Sequence, residues 1–386
     1  MTVMQTKIIK IDNENINLAG IQEAASLIDA GGLVAFPTET VYGIACRVKT
    51  DSLTKLNNLK GRGADGSATG GSATGKYYTL HIGDAADVKR YIPTIGIKAQ
   101  KLIRKSWPGP LTIVFELNPQ DVDKQRSYLD KEVFESLYKD NSIGIRCPDS
   151  LIASMLLKST KNPVVAPSAN ITGRPPAIDA DQVLAQFSGQ IELLLDAGPC
   201  RYKKGSTVVK IGKKGLEILR PGVYYQEELE VMSEIKFLFV CTGNSCRSPM
   251  AEGIFRKYLA EKLQCDVDGL TEMGYITYSA GIMNIDGFPA SAEAITACSA
   301  KGIDIRAHNS QTLSRQLIEE SDYIYAMAQM HRERIIALSP EAADKCVLLA
   351  GDKDIPDPIG QQQEVYNSCA EMIEEAVKTK VNELAI

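Results

Sequence analysis

KFLFVCTGNSCRSPMAEGIF, residues 236–255, passes from an unbroken apolar run, through a short polar loop, into a helix-like pattern. FLFVC (237–241) reads as a buried strand. Residues 249–263 read as an amphipathic helix, with Met250, Ile254, Tyr258, Leu259 and Leu263 near helical spacing. The loop between them holds Cys241, Gly243, Asn244, Ser245, Cys246, Arg247 and Ser248, a poor set for a core and a good one for an anion. A strand that turns into a helix aims several backbone N–H groups at one point, and the helix N-terminus adds roughly half a positive charge. Such a nest binds a phosphate dianion at the carboxyl end of a parallel sheet.

The chemistry follows from spacing. Arg247 can grip two phosphate oxygens bidentately. The same field is expected to favour thiolate at Cys241, making it a nucleophile. Gly243 is expected to let the backbone curl, and Asn244 tolerates a left-handed conformation. Ser248 can donate to the sulfur. An attacking thiolate needs an acid for the leaving group. Asp357 in DIPDPIG, stiffened by Pro356 and Pro358, is the better candidate, and Asp354 the weaker.

Working outward, the tail 363–384 repeats the helical pattern with Val365, Cys369, Ile373, Val377, Val381 and Leu384. The whole chain has 386 residues, which suggests two or three domains. Its formal net charge of −5 is uneven. Residues 1–230 carry 29 Lys+Arg against 25 Asp+Glu, whereas 231–386 carry 14 against 23. The sign changes near VYYQEELEVMSEI (223–235), after Pro221-Gly222. Domains are therefore expected over 1–225 and 235–386, with a linker over 226–234. The surplus of +4 in the first half reads as a solvated surface before a nucleic-acid face.

In the first half, Ile21–Ala30 reads as a helix ended by Gly31-Gly32, and Leu33–Phe36 as a strand. YYTLHI (77–82), PLTIVFEL (110–117), NSIGIRCP (141–148) and NPVVAPSAN (162–170) continue the alternation. That implies an α/β or α+β sheet domain. GSATGGSATG (66–75) is one pentamer written twice and has nothing to bury. It reads as a flexible engineered insertion, with a natural loop as the alternative.

No apolar run approaches the roughly 18–20 residues that cross a bilayer. The first residues lack a hydrophobic signal core, so a cytoplasmic protein with no membrane partner is expected. Nine cysteines without framework spacing read as reduced thiols. No CxxC pair or His-rich cluster is present to hold zinc, and no metal site is expected.

VCTGNSCRSP, YSAG (278–281), GIDIRAHNS (302–310), SDYIYAMA (321–328) and DPIG (357–360) together resemble the low-molecular-weight protein tyrosine phosphatase family over about residues 235–386. The resemblance implies a doubly wound parallel sheet, Cys241 as nucleophile, Arg247 as phosphate clamp and Asp357 as general acid. It implies a loop-shaping network of Asn244, Ser248, Ser279 and His308, a phosphoprotein substrate and no cofactor. Cys246 reads equally as a packing residue or as a thiol that traps oxidised Cys241. Ser245 stands where tyrosine-directed members commonly have an apolar residue and arginine-phosphate-directed members a hydroxyl. Ile359 replaces the aromatic that would stack on phosphotyrosine. Arsenate reduction is disfavoured, because no relay cysteine stands near AMA (326–328). Phosphotyrosine is the first expectation and phosphoarginine the alternative.

In the first half, FPTETVYGIAC (36–46), LKGR (59–62), SWPGPLT (106–112) and APSANITGRP (166–175) offer hydroxyls and cations at strand ends, suited to phosphates and a small polar ligand. With GIRCP, DAGP, STVV (206–209) and ILRPG (218–222) they resemble the YrdC family over about residues 10–225. The resemblance implies a twisted mixed α/β domain that makes threonylcarbamoyl-AMP from L-threonine, bicarbonate and ATP for a tRNA modification. Lys60, Arg62, Thr112, Ser168, Asn170, Ser206 and Arg220 would contact ATP. Thr38, Tyr42, His81 and Arg146 would hold threonine or its carbamate, with Mg²⁺ offsetting phosphate charge. His81 reads alternatively as a core residue. Gly63 replaces the family's proline after KGR, and the GSATG repeat is spliced into that loop. tRNA or tRNA-modification proteins are expected as further partners, and the alternative for this half is an RNA- or nucleotide-binding module with impaired synthase activity.

Overall fold

The computed structural model describes residues 5–12, 16–62, 78–212 and 215–386, and in it the alternating apolar runs form two separate sheets. The GSATG repeat at 66–75, with Gly63 and Tyr77, lies outside the described residues. The main division of the chain falls between Met232 and Ser233.

The strands of the first unit are β1 (Lys7–Lys10), β2 (Val34–Phe36), β3 (Gly43–Arg47), β4 (Thr79–His81), β5 (Leu111–Glu116), β6 (Ser142–Arg146), β7 (Val164–Val165), β8 (Leu193–Asp196), β9 (Thr207–Gly212) and β10 (Gly215–Arg220). They make one sheet in the order β1-β8-β2-β3-β7-β4-β6-β5-β9-β10. The sheet is mixed: β4 runs parallel to β6, β5 antiparallel to β6 and parallel to β9. The first helix, Leu18–Asp29, starts on Asn17, whose side chain accepts from the Gly20 N–H. It stops where Gly31 takes a φ of +93°, a conformation side-chain-bearing residues avoid.

Residues 226–234, expected as a linker, hold the helix Gln226–Ser233 instead. Its Leu229 is fully buried in the core of the first unit, with Met232 packed against it. A run as polar as QEELEVMS hides a helix held by one fully buried leucine and one half-buried methionine.

The second unit contains β11 (Ile235–Cys241), β12 (Tyr275–Gly281), β13 (Tyr323–Ala326) and β14 (Cys346–Leu348), all parallel, in the order β12-β11-β13-β14. The period of two along β11 divides the unit's apolar residues. Phe237, Phe239 and Cys241 face a core built with the helices Arg247–Leu263 and Gln363–Glu383. Leu238 and Val240 face the opposite core, with Ile318, Ile324 and Ile335. Helices thus cover both sheet faces, the doubly wound arrangement. In the last helix Tyr366, Cys369, Ile373, Val377 and Val381 are buried, while Val365 is exposed. No helix among the described residues is long and apolar enough to cross a membrane.

Candidate active sites

At the carboxyl end of β11 the chain leaves the sheet at Cys241 and re-enters regular structure at Arg247, the first residue of a helix. The turn between them depends on Asn244, held at φ +54°. Gly243 lies outside the left-handed region, so the curl expected of the glycine is made by the asparagine. The Asn244 N–H donates to Cys241 Sγ at 3.2 Å, and its Nδ2 donates to Ser248 Oγ at 2.8 Å. Ser248 Oγ lies 3.0 Å from the sulfur, with its own proton available for it. His308 Nε2 holds the Asn244 carbonyl at 2.7 Å, and the Gln311 N–H donates to Asn244 Oδ1 at 2.8 Å.

Ser279 joins this network through its carbonyl, which accepts from Gln311 Nε2 at 3.0 Å. Its hydroxyl turns away and donates to Glu252 Oε2 at 2.7 Å. Gln311, Glu252 and Thr242 were not singled out in sequence. Gln311 directly follows the motif GIDIRAHNS, and that proximity was the available signal.

Arg247 is buried, and its guanidinium donates to the Ile355 carbonyl at 3.1 Å and to Thr242 Oγ1 at 3.0 Å. It also pairs with Asp357 Oδ2. Its Nε has no partner. Asp354, the weaker acid candidate, is committed elsewhere: its carboxylate accepts from the Gln329 N–H at 2.7 Å, at the start of the helix Gln329–Leu338.

Burial pushes the Cys241 thiol up from its ordinary value, against the lowering pull of Ser248, the Arg247 charge and the Asn244 N–H. The expected thiolate bias is therefore corrected: desolvation of the buried sulfur outweighs the field, because it penalises the charged form directly. The sulfur opens on a cavity of about 940 Å³. Ser245, Cys246, Arg247 and Asp357 line it beside Phe288 and Ile359. Phe288 is 60% exposed, an aromatic on the rim that sequence reading missed. Cys246 Sγ lies 3.4 Å from Tyr366 Oη and 3.5 Å from Ser291 Oγ, a packed polar setting.

In the first unit the register of three strands sets His81, Arg146 and Thr112 side by side across β4, β6 and β5. Arg146 donates to Glu39 Oε1 at 2.8 Å and to Thr40 Oγ1 at 2.7 Å. Both side chains of the ion pair are almost wholly buried, yet Arg146 Nε and Glu39 Oε2 have no partner. Thr112 Oγ1 lies 3.0 Å from Ser206 Oγ, which accepts from Arg220 at 3.0 Å. Burial, then the neighbouring Arg146 charge, drives His81 down to about 3, so it is neutral at physiological pH.

A second cluster surrounds Lys60. Its ammonium donates to the Asn170 carbonyl at 2.7 Å and to the Ser168 carbonyl. Ser168 Oγ donates to Asn170 Oδ1 at 2.6 Å, and Asn170 Nδ2 returns to its own loop at Ile171 and Arg174. Burial lowers Arg62, whose Nε has no partner. The segment 38–43 links the two clusters: Glu39 and Thr40 meet Arg146, and Gly43 bridges to Ser168.

Two residues expected to touch threonine are tied into the scaffold. Thr38 Oγ1 donates to the Val41 carbonyl at 2.6 Å within its own turn. Tyr42 is fully buried and donates to the Gly198 carbonyl at 2.8 Å. Glu39, the ion-pair partner of Arg146, was missed although it sits inside PTETVYG. Among the described residues no group of three or more His, Cys, Asp or Glu gathers as a metal site.

Comparison with known proteins divides the chain in the same place. A family model described as "Telomere recombination", Sua5_yciO_yrdC, matches residues 26–222. A second, described as "Low molecular weight phosphotyrosine protein phosphatase", matches residues 236–385. The threonylcarbamoyl-AMP synthase of Pyrococcus abyssi is 32% identical over 248 residues, which is 64% of this chain and 67% of that protein. The protein-arginine-phosphatase of Geobacillus stearothermophilus is 36% identical over 144 residues, 36% of this chain and 88% of that protein. The crystal structure of P. abyssi Sua5 complexed with L-threonine has a similar fold, with a TM-score of 0.50 at 23% identity, covering 71% of this chain and 92% of that one.

Proposed function

This chain belongs to the Sua5_yciO_yrdC family through residues 26–222 and to the low molecular weight phosphotyrosine protein phosphatase family through residues 236–385, and from that premise we propose that it is a bifunctional enzyme. The first unit makes L-threonylcarbamoyladenylate from L-threonine, bicarbonate and ATP, releasing pyrophosphate, for tRNA modification. The second hydrolyses phosphoproteins through a cysteinyl-phosphate intermediate. The observation that carries the second reading is Cys241, Arg247 and Asp357 lining one cavity.

In the second unit the Cys241 thiol gives up its proton to the bound phosphate, and the thiolate attacks phosphorus as the bond to the leaving oxygen breaks, while Arg247 and the loop N–H groups hold the other oxygens. Asp357 protonates the leaving group and then activates water against the cysteinyl phosphate. Asp357 is paired with Arg247. An incoming phosphate competes for that guanidinium and frees the carboxyl for the leaving group. In the first unit the buried Arg146, paired with Glu39 but with its Nε unpartnered, supports recognition of the threonine carboxylate. Thr112, Ser206 and Arg220 supply polar groups for the nucleotide. Lys60 shapes the Ser168–Asn170 loop against which the phosphates lie. Mg²⁺ would arrive on the nucleotide phosphates, for no protein cage of three metal-ligating side chains is gathered among the described residues.

The apolar rim of Phe288 and Ile359 favours an aryl phosphate. Ser245 in the same cavity, with the likeness to an arginine phosphatase, favours phosphoarginine as the second reading. Phosphotyrosine and phosphoarginine peptides, assayed in parallel on the full chain, decide between them. Cys241→Ser is expected to abolish turnover of either, by at least about 10³-fold. Full turnover by that variant would refute the nucleophile.

A further inference from the structure

Thr242 lines the same cavity as Cys241 and Arg247 and has no role so far. Its hydroxyl has one proton to donate and two lone pairs. Arg247 can only donate, and it takes one lone pair at 3.0 Å. His331 Nε2 stands 2.9 Å from the same oxygen. The direction of that second bond fixes where the hydroxyl proton goes.

His331 is fully buried on the helix Gln329–Leu338, and its Nδ1 has no partner. Burial, then the Arg247 charge, lowers it to about 4, so the ring is neutral near pH 7 and carries one proton. A buried N–H without an acceptor is rarer and costlier than an unused lone pair. The proton therefore belongs on Nε2, where Thr242 Oγ1 can accept it, and Nδ1 keeps a bare lone pair. Both lone pairs of Thr242 are then occupied by donors. Its own proton has neither Arg247 nor His331 to go to and is left for an acceptor in the cavity that Thr242 lines.

We propose that the Thr242 hydroxyl is a donor to the oxygens of a bound phosphoryl group, and that His331 is the positioning residue that turns it there. The bond adds to those from Arg247 and the loop N–H groups. It serves substrate phosphate, the transition state and inorganic phosphate as product alike. The inference rests on the phosphatase reading of this cavity.

The test uses the full chain with two probes: p-nitrophenyl phosphate for turnover and inorganic phosphate for competitive binding. Thr242→Val is expected to weaken phosphate about 10–100-fold, the usual worth of a hydrogen bond to a charged group. Thr242→Ser restores affinity to within about threefold, because it keeps the hydroxyl. His331→Leu, which removes the N–H but fills the volume, is expected to weaken phosphate about 10-fold. His331→Gln, whose amide can donate from the Nε2 position, recovers most of it. The double variant Thr242→Val/His331→Leu is expected to match Thr242→Val alone, since the histidine acts only through the threonine. A packing role for His331 would instead multiply the two losses. Unchanged phosphate affinity in Thr242→Val, no rescue by serine, or multiplied losses in the double variant would each overturn the proposal. If His331→Leu fails to fold, the valine–serine pair at 242 decides alone. Wild type and Cys241→Ser that both lack turnover and phosphate binding would instead sink the phosphatase reading, and this inference with it.

Discussion

Glu39 and Arg146 form an ion pair that is almost wholly buried, across 107 residues of chain. No local pattern in PTETVYG announces a partner in GIRCP, so the pair was invisible in sequence although both motifs were singled out. Removing one member strands the other charge away from water, which costs about 3–5 kcal/mol. Glu39→Ala is accordingly expected to lower the stability of the first unit by that amount in urea unfolding, and to impair threonine-dependent pyrophosphate release. A loss under about 1 kcal/mol would mean that water reaches Arg146 freely. Asn244 shows the opposite case. Its left-handed φ of +54° follows from a tendency that sequence does carry. The curl expected of Gly243 did not, because nothing local says which of two permissive neighbours takes the strained angle.

At the scale of elements, the strand–loop–helix around residue 241 was legible because a parallel strand buried on both faces writes a continuous apolar run, and the helix writes its own period. The helix Gln226–Ser233 was not, because a single buried leucine anchors it. Steric limits between elements are also silent in sequence. Gly281 ends β12 alongside Cys241, and a Cβ there would stand 2.8 Å from the Thr242 carbonyl oxygen and 3.0 Å from the Asn244 nitrogen. Both atoms are backbone of the anion loop, so the loop itself must move. Gly281→Ala is expected to leave the second unit folded, at a cost of about 1–3 kcal/mol. The same change should cut kcat/KM for an aryl phosphate about 10²-fold through misplacement of the loop. A thermal melt alongside steady-state kinetics separates the two effects. Activity that falls only in proportion to the folded fraction would show that the loop tolerates the shift.

For the molecule as a whole, the site hydrogen bonds described above run within one unit each, among the described residues. Those of the first run among residues between Thr38 and Arg220. Those of the second run between Cys241 and Tyr366. The charge surplus divides in the same way, positive in the first half and negative in the second. Two sites built from different residues in different units should have chemistry separable by single substitutions. On the full chain, Cys241→Ser is expected to abolish aryl-phosphate hydrolysis while pyrophosphate release from ATP, threonine and bicarbonate stays within about twofold of wild type. Arg146→Met should do the reverse, abolishing threonine-dependent pyrophosphate release and sparing phosphate hydrolysis. Both assays on one preparation of each variant provide the comparison. A Cys241→Ser protein that also loses pyrophosphate release, yet melts as wild type does, would mean that one active site governs the other.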